Sequence, residues 1–437
     1  MTAPRVAVVG SGITGLATAW RLATQADPVE VVLFEADGRF GGHAHTVELT
    51  LDGLAHGVDT GFLVFNRRTY PQLSRLFETL GVPIAPSEMS FSVQAPRSGL
   101  EWSGSNLNGV FAQRRNLLNP RFLGMLRELL RFNALCTTIA REGGEQTLQQ
   151  ALGSFLDQHR FGAAFREGYL LPMLGCIWSC PTSQMLRFPV ATMIRFCHNH
   201  GLLQIADRPQ WTTVAGGSRR YVQAMLARIP QARCDAPVLS IRRHGAAGVM
   251  LHTAAGDERF DDVVLACHSD QALALLADAD EAERGVLGAI RFQPNRAVLH
   301  TDPRLLPRRQ AAWAAWNYER AGEAAEEEAR VCLHYLINRL QPLPWRQPVI
   351  VSLNAVREPD PNTVHGQWTY HHPVFDADAI AAQRRLPAIQ GRRRTWFAGA
   401  WTRYGFHEDG LMSANAVVDQ WLLRRQGEST AIAKAAA

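Results

Sequence analysis

The stretch Arg5-Val-Ala-Val-Val-Gly10-Ser-Gly12-Ile-Thr-Gly15-Leu-Ala-Thr-Ala-Trp-Arg-Leu22 decides the fold. It opens on a short continuous apolar run, the pattern of a parallel strand covered on both faces. Glycines then recur as GxGxxG, and Leu16, Ala19 and Leu22 mark an apolar helical stripe. Gly10 permits the tight turn, Gly12 lets the backbone approach a pyrophosphate, and Gly15 allows helix to pack closely on strand. At Ile13 and Thr14 the unpaired amides and dipole of a helix N-terminus favour an anion. A second apolar strand, Val29-Glu-Val-Val-Leu-Phe34, ends in Glu35, 20 residues beyond Gly15, where a carboxylate accepts both ribose hydroxyls. Strand, glycine turn, helix, strand and acid in this order predict a dinucleotide-binding βαβ unit. An acid at Glu35 repels a 2′-phosphate, which argues against NADP.

Glu35-Ala36-Asp37-Gly38 leads directly into Arg39-Phe-Gly41-Gly42-His43, a second glycine pair beside the cofactor. This E-x3-R-x-G-G arrangement resembles the flavin-containing amine oxidase and phytoene desaturase superfamily. The resemblance implies an α/β protein whose FAD-binding, Rossmann-like (GR2-type) domain is interrupted by an α+β substrate domain. It sets Glu35 and Ala36 at the ribose, and Arg39, Gly41, Gly42 and His43 along the phosphates and ribityl chain. Many members carry arginine after the glycine pair, where this chain has His43.

Val47, Leu49 and Leu51 alternate before Asp52-Gly53, a hairpin signal leading to Asp59-Thr-Gly61. From about 117 to 232 the pattern is mainly helical, as in an inserted domain. Val238 to Ile241, Val249 to Thr253 and Val263 to Ala266 form a β-rich return, which the resemblance sets against the adenine near Val238. Glu323 to Arg330 reads as a solvated loop or helix face. Arg394 to Gly399 reads as a strand entering a turn, and Asp409 to Leu422 as a helix capped by Asp409. The expected domains are 1–75, 215–270 and 390–425 for FAD and 76–214 and 271–389 for substrate, with a flexible tail at 426–437.

At the C-terminal end the resemblance implies that Gly399, Asp409, Gly410 and Leu411 touch the flavin, the helix N-terminus facing its pyrimidine edge. Many relatives have an acid after the glycine matching Gly399, where this chain has Ala400. Tyr404-Gly-Phe-His-Glu-Asp-Gly410 and Gly216-Gly217-Ser218 are similar to a bacterial subgroup associated with cyclopropane and methyl-branched fatty acyl modification.

Composition narrows the chemistry. Of 437 residues 46% are hydrophobic and 19% charged, with 45 basic against 40 acidic residues, and the only lysine is Lys434. A Schiff base, a pyridoxal attachment or a phosphate-loop lysine each needs a buried lysine. A net +5 without an arginine and aromatic stripe argues against nucleic acid. Seven dispersed cysteines predict reduced thiols in a cytoplasmic protein, and none has zinc-ligand spacing. No cysteine lies between Thr395 and Asp419, so FAD is expected to be noncovalent.

A flavin oxidoreductase of this fold takes a hydride from substrate to N5 while a proton leaves. His407 and Glu408 are the candidate proton acceptors, and Tyr404 is the third candidate catalytic residue. Trp401, Tyr404 and Phe406 are candidate walls at the flavin face. Flavin-dependent amine oxidases commonly carry a lysine at N5, which this chain lacks, so the expected substrate is apolar, a (methyl-branched) fatty acyl chain or other lipid. The alternatives are a lysine-free amine oxidase and a non-catalytic flavin-holding partner of a lipid enzyme. Arg114, Arg115, Arg121, Arg127 and Arg131 around Phe122, Met125, Leu126, Leu129 and Leu130 make a basic amphipathic helix suited to peripheral membrane contact. Oligomeric state is left open.

Overall fold

The computed structural model describes residues 3–144, 148, 150–204, 208–320 and 331–436. Five parallel strands form its first sheet: Arg5–Val9, Glu30–Phe34, Gln231–Arg233, Asp262–Leu265 and Thr395–Phe397. Numbered along the chain, they lie in the order 3-2-1-4-5. The order reverses at Arg5–Val9, and ligands of open α/β sheets bind beyond the strand ends at such a reversal. Helix Ile13–Thr24 leaves this point, buried through Ile13, Leu16, Ala19 and Leu22.

The hairpin Thr46–Leu51/Leu54–Asp59 forms as its alternation predicts. Asp52 and Gly53 both take positive φ, 50° and 75°, which suits a tight turn between twisted strands. The β-rich return is a three-stranded antiparallel sheet, Val238–Arg243, Val249–Thr253 and Gly256–Phe260.

The second sheet has seven strands: Phe91–Ala95, Leu100–Ser103, Phe292–His300, Trp316–Glu319, Leu333–Leu336, Ile350–Leu353 and Val364–Pro373. Its one parallel pair joins Trp316–Glu319 to Phe91–Ala95, with all other pairs antiparallel. The expected helical stretch holds Pro120–Arg141, Leu152–Gln158, Leu171–Trp178 and Val190–Asn199, with a π-helical turn at Arg166–Leu170. The main apolar core runs from the first sheet through these helices to one face of the second sheet.

The structure redraws one expected boundary. Helices Ser269–Leu275, Glu281–Leu287 and Ala377–Arg385 fall within the segment 271–389, or at its edge, yet they pack on the first sheet. Ala272, Val286, Leu287, Ala379 and Ala382 share a core cluster with Val9, Phe34 and Leu265. Their apolar stripes find the outer face of the parallel sheet, which would otherwise meet water.

The final helix, His407–Ala436, starts two residues before Asp409 and runs through the stretch set down as a tail. Its alanine-rich end favours helix. Asp262, 1% exposed at its side chain, accepts from Trp421 Nε1 at 3.1 Å and from Arg424 Nη2 at 2.6 Å, tying the helix to the sheet. All seven cysteines are free, five of them buried. No helix among the described residues is long and apolar enough to cross a membrane. Glu323 to Arg330 lie outside the described residues.

Candidate active site

The first end of the site is the turn after Arg5–Val9. Gly10 has φ +98°, and a Cβ there would meet Ala266 O at 3.0 Å. A Cβ on Gly15 would lie 1.8 Å from Gly10 O, so helix and strand approach as only glycine permits. At Gly12 nothing stands within 4 Å of a Cβ, which leaves the open side of the turn free for a ligand. Glu35 closes the turn: its Oε2 accepts from Ser11 N at 2.9 Å and its Oε1 from Asp37 N at 2.9 Å. Ala36 is exposed beside it. Ala236 N donates to Glu35 O at 2.8 Å, which lays the segment before Val238 along the same sheet end.

Arg39 Nη1 and His43 Nε2 are buried polar atoms without a hydrogen-bond partner. Both follow the acid and flank Gly41 and Gly42, whose φ values are +116° and +56°. A buried guanidinium nitrogen with no acceptor is costly unless an anion completes it. Open Gly12, the carboxylate of Glu35 and unpaired Arg39 together fit the ribose and diphosphate of a dinucleotide.

His43 heads a cluster that the sequence reading missed. Its ring lies 5.2 Å from Tyr370, 5.3 Å from His372 and 6.4 Å from His268. Burial, then the neighbouring histidines and Arg39, hold His43 well below the usual imidazole range. Burial lowers His268 and His372 to about 4. The Tyr370 hydroxyl sits 2.9 Å from His45 Nδ1 and 2.7 Å from Thr60 Oγ1. These partners come from four distant segments, and the one local signal was the His371-His372 pair.

The other end of the site is the start of the final helix. A Cβ on Gly410 would meet Thr14 Oγ1 at 2.7 Å, so this helix end abuts the start of the first helix. Leu411 is buried at the same junction, and Gly399 N donates to Ser413 Oγ at 3.1 Å. His407 stacks on Phe62 with ring centres 3.8 Å apart, and its Nε2 is 3.1 Å from the Tyr221 hydroxyl. Burial lowers His407 to about 3, so the imidazole is neutral. A ring that resists protonation this strongly is a poor proton acceptor at neutral pH.

Glu408 is not a free base either. Its Oε1 accepts from Gln72 N and its Oε2 from Leu73 N, both at 2.9 Å, which caps helix Pro71–Leu80. Its partners lie more than 330 residues away, beyond the reach of local pattern. Asp409 occupies the first turn instead of the N-cap, and its Oδ2 accepts from Phe406 N at 3.0 Å. Burial raises it to about 7. Trp401 is also reassigned: it lies in the core, donating to Cys267 O at 3.1 Å. Tyr404 and Phe406 pack on Phe196 with ring centres 6.0 and 5.0 Å apart. The Tyr404 hydroxyl has no hydrogen-bond partner among the described residues.

From His407 a continuous aromatic wall runs through Phe62, Phe65 and Tyr70 to Trp211, His200 and Phe196. Burial lowers His200 to about 4, so it too is neutral. Behind the wall, buried Asp59 accepts from Ser218 N at 2.9 Å, Ser218 Oγ at 2.8 Å and Gln341 Nε2 at 2.8 Å. The Asp59-Thr-Gly61 and Gly216-Gly217-Ser218 signals thus meet at one carboxylate, which Gln341 ties to the segment after helix Ile337–Leu340.

The family model for flavin-containing amine oxidoreductases matches residues 13–307. No curated protein matches. Solved structures share the fold across nearly their whole length. A CLA-producing fatty acid isomerase from P. acnes is 16% identical, with TM-score 0.67, covering 95% of this chain and 98% of its own. A putative protoporphyrinogen oxidase from Exiguobacterium is 17% identical, with TM-score 0.67, covering 97% and 100%. Cyclohexylamine oxidase from Brevibacterium oxydans is 14% identical, with TM-score 0.67, covering 96% and 100%. The chain belongs to the flavin-containing amine oxidoreductase family and is an FAD-dependent oxidoreductase.

Proposed function

We propose that this enzyme dehydrogenates an apolar acyl chain, of the methyl-branched fatty acyl class that the Tyr404–Gly410 and Gly216–Ser218 segments resemble. The observation that carries the reading is the charge at the ring end. His407 and His200 are held neutral, and Glu408 and Asp409 are turned onto backbone amides. Among the described residues a substrate ammonium would find no free carboxylate there, whereas a hydrocarbon would meet Phe62, Tyr404 and Phe406. The one lysine of the sequence, Lys434, comes 27 residues after His407 along the final helix, about 40 Å by helix rise.

Bound FAD supplies the two-electron acceptor for such a reaction. The chain seats the hydrocarbon against the aromatic wall and keeps charge away from it. With Glu408 capping a helix and His407 resistant to protonation, the proton lost from the neighbouring carbon leaves to water. Anaerobic mixing of the holoenzyme with bacterial phospholipid extract tests the proposal: bleaching of the flavin absorbance is expected. Bleaching by amines with peroxide release on re-aeration, or bound FAD inert to both, overturns it.

A further inference from the structure

Ten large apolar side chains are exposed among the described residues, and five of them lie between 107 and 130: Leu107, Leu117, Leu118, Leu123 and Leu130. Leu118 is 89% exposed and Leu107 77%. Of the apolar residues expected at this contact, Phe122, Met125, Leu126, Leu129 and Leu130, the first two face inward and Leu130 is exposed. Phe122, Met125, Phe132 and Cys136 are the buried stripe of helix Pro120–Arg141, with Phe122 packed 6.0 Å from Trp102. The leucines belong to the opposite stripe, Leu123, Arg127 and Leu130, and to the short helices Leu107–Val110 and Arg114–Leu118 that precede it. All five stay exposed among the described residues.

The charge here is concentrated as well. Residues 107–131 hold five arginines and one acid, Glu128, a local excess of four within a chain whose total excess is five. All five arginines are exposed. Glu128 is engaged with Gly162 N and Arg131. Arg121 and Arg127 have no carboxylate partner among the described residues. Leucines that stand out between unneutralised arginines match a surface with an anionic layer over hydrocarbon. A second copy of this chain is a poor match, because a two-fold contact sets arginine against arginine.

We propose that the face formed by Leu107, Leu117, Leu118, Leu123 and Leu130 with Arg121 and Arg127 docks the enzyme on an anionic phospholipid surface. The leucines enter the headgroup boundary and the arginines pair with lipid phosphates. No helix among the described residues can span the bilayer, so the contact is a reversible surface one. It deepens the apolar-substrate reading and rests on it in one respect: the acyl chain would be taken from an assembled phospholipid.

The test is co-sedimentation of the holoenzyme with vesicles of phosphatidylglycerol and phosphatidylethanolamine, and with phosphatidylcholine alone. Binding to the anionic vesicles is expected, with about tenfold or greater loss in about 0.5 M salt and on phosphatidylcholine. Leu118→Glu with Leu123→Glu should lose binding by at least about tenfold while keeping the flavin spectrum. Leu423→Glu, at a leucine 68% exposed elsewhere, should bind as wild type. Absence of binding to anionic vesicles, equal binding to both kinds, an unaffected double variant, or concentration-dependent self-association abolished by that variant overturns the proposal. Binding is read without turnover, so vesicle capture with no lipid-driven bleaching counts against the function reading alone.

Discussion

The two ends of the flavin site are built on opposite electrical principles. At the phosphate end the chain leaves polar atoms unfinished: Arg39 Nη1 and His43 Nε2 are buried without partners. At the ring end the acids and the imidazole at the helix tip are already bonded. His407 shares a hydrogen bond with Tyr221, while Glu408 and Asp409 hold backbone amides. The first end is incomplete without an anion, and the second is complete without any charge. An FAD seated as the resemblance implies would draw its binding energy from the part that does not react, with the reacting part against the aromatic rings.

The sharpest way to break this contrast is at the glycine turn. Gly15→Val places atoms inside the Gly10 carbonyl, and loss of both flavin and cooperative folding is expected, read as an absent flavin absorbance and a collapsed melting transition. Arg39→Ala should act on affinity alone. Removing a charge-assisted contact worth about 1.5–3 kcal/mol raises the FAD dissociation constant about 10- to 100-fold, with the apoprotein melting temperature little changed. A melting temperature that falls with affinity would mean that Arg39 braces the fold.

Acid separates the ends differently. His43, His200, His268, His372 and His407 are buried with folded pKa values depressed below the unfolded value near 6.5. Each then favours the unfolded chain as pH falls below about 6.5, by up to about 2 kcal/mol at pH 5. Asp59, raised to about 6, and Asp409, raised to about 7, have the opposite sign and gain stability as pH falls toward their unfolded value near 4. With His45 and His300, also lowered to about 4, the depressed imidazoles outnumber the raised carboxyls Asp59, Asp409 and Glu408, so stability should drop between pH 6.5 and 4. His407→Phe should make that drop shallower in a urea titration at each pH. An unchanged slope would place a charged imidazole in the folded state.

The smallest effect is expected at Glu408. Glu408→Gln keeps one carbonyl oxygen to accept an amide, so it should cost about 1 kcal/mol and leave the rate of flavin reduction by substrate unchanged. A large fall in that rate would return Glu408 to the chemistry.

The contrast also marks how far the sequence could be read. The phosphate end was legible because its parts are neighbours: Gly10, Gly12, Gly15, Glu35, Arg39 and the Gly41-Gly42 pair all fall within 33 residues. Each residue type there answers a backbone requirement of its own turn. The ring end is assembled from distant pieces. Glu408 looks like a base until Gln72 and Leu73 arrive, and Trp401 looks like a pocket wall until Cys267 accepts its indole hydrogen. The helices 269–287 and 377–385 were assigned to the wrong layer for the same reason. Their small apolar stripes name no partner until the sheet is present.

One feature of the fold gives the ring end its rigidity. The final helix begins at His407, in the candidate site, and is gripped at Trp421 and Arg424 by Asp262, the first residue of its strand, at the far end of the strands from the glycine turn. From His407 to Arg424 is 17 residues, about 25 Å of helix. That length acts as a strut held at both ends, so the place of the helix tip beside the glycine turn is tied to the length of the strands. The aperture a flavin ring would have is thus gauged from the far end of the domain.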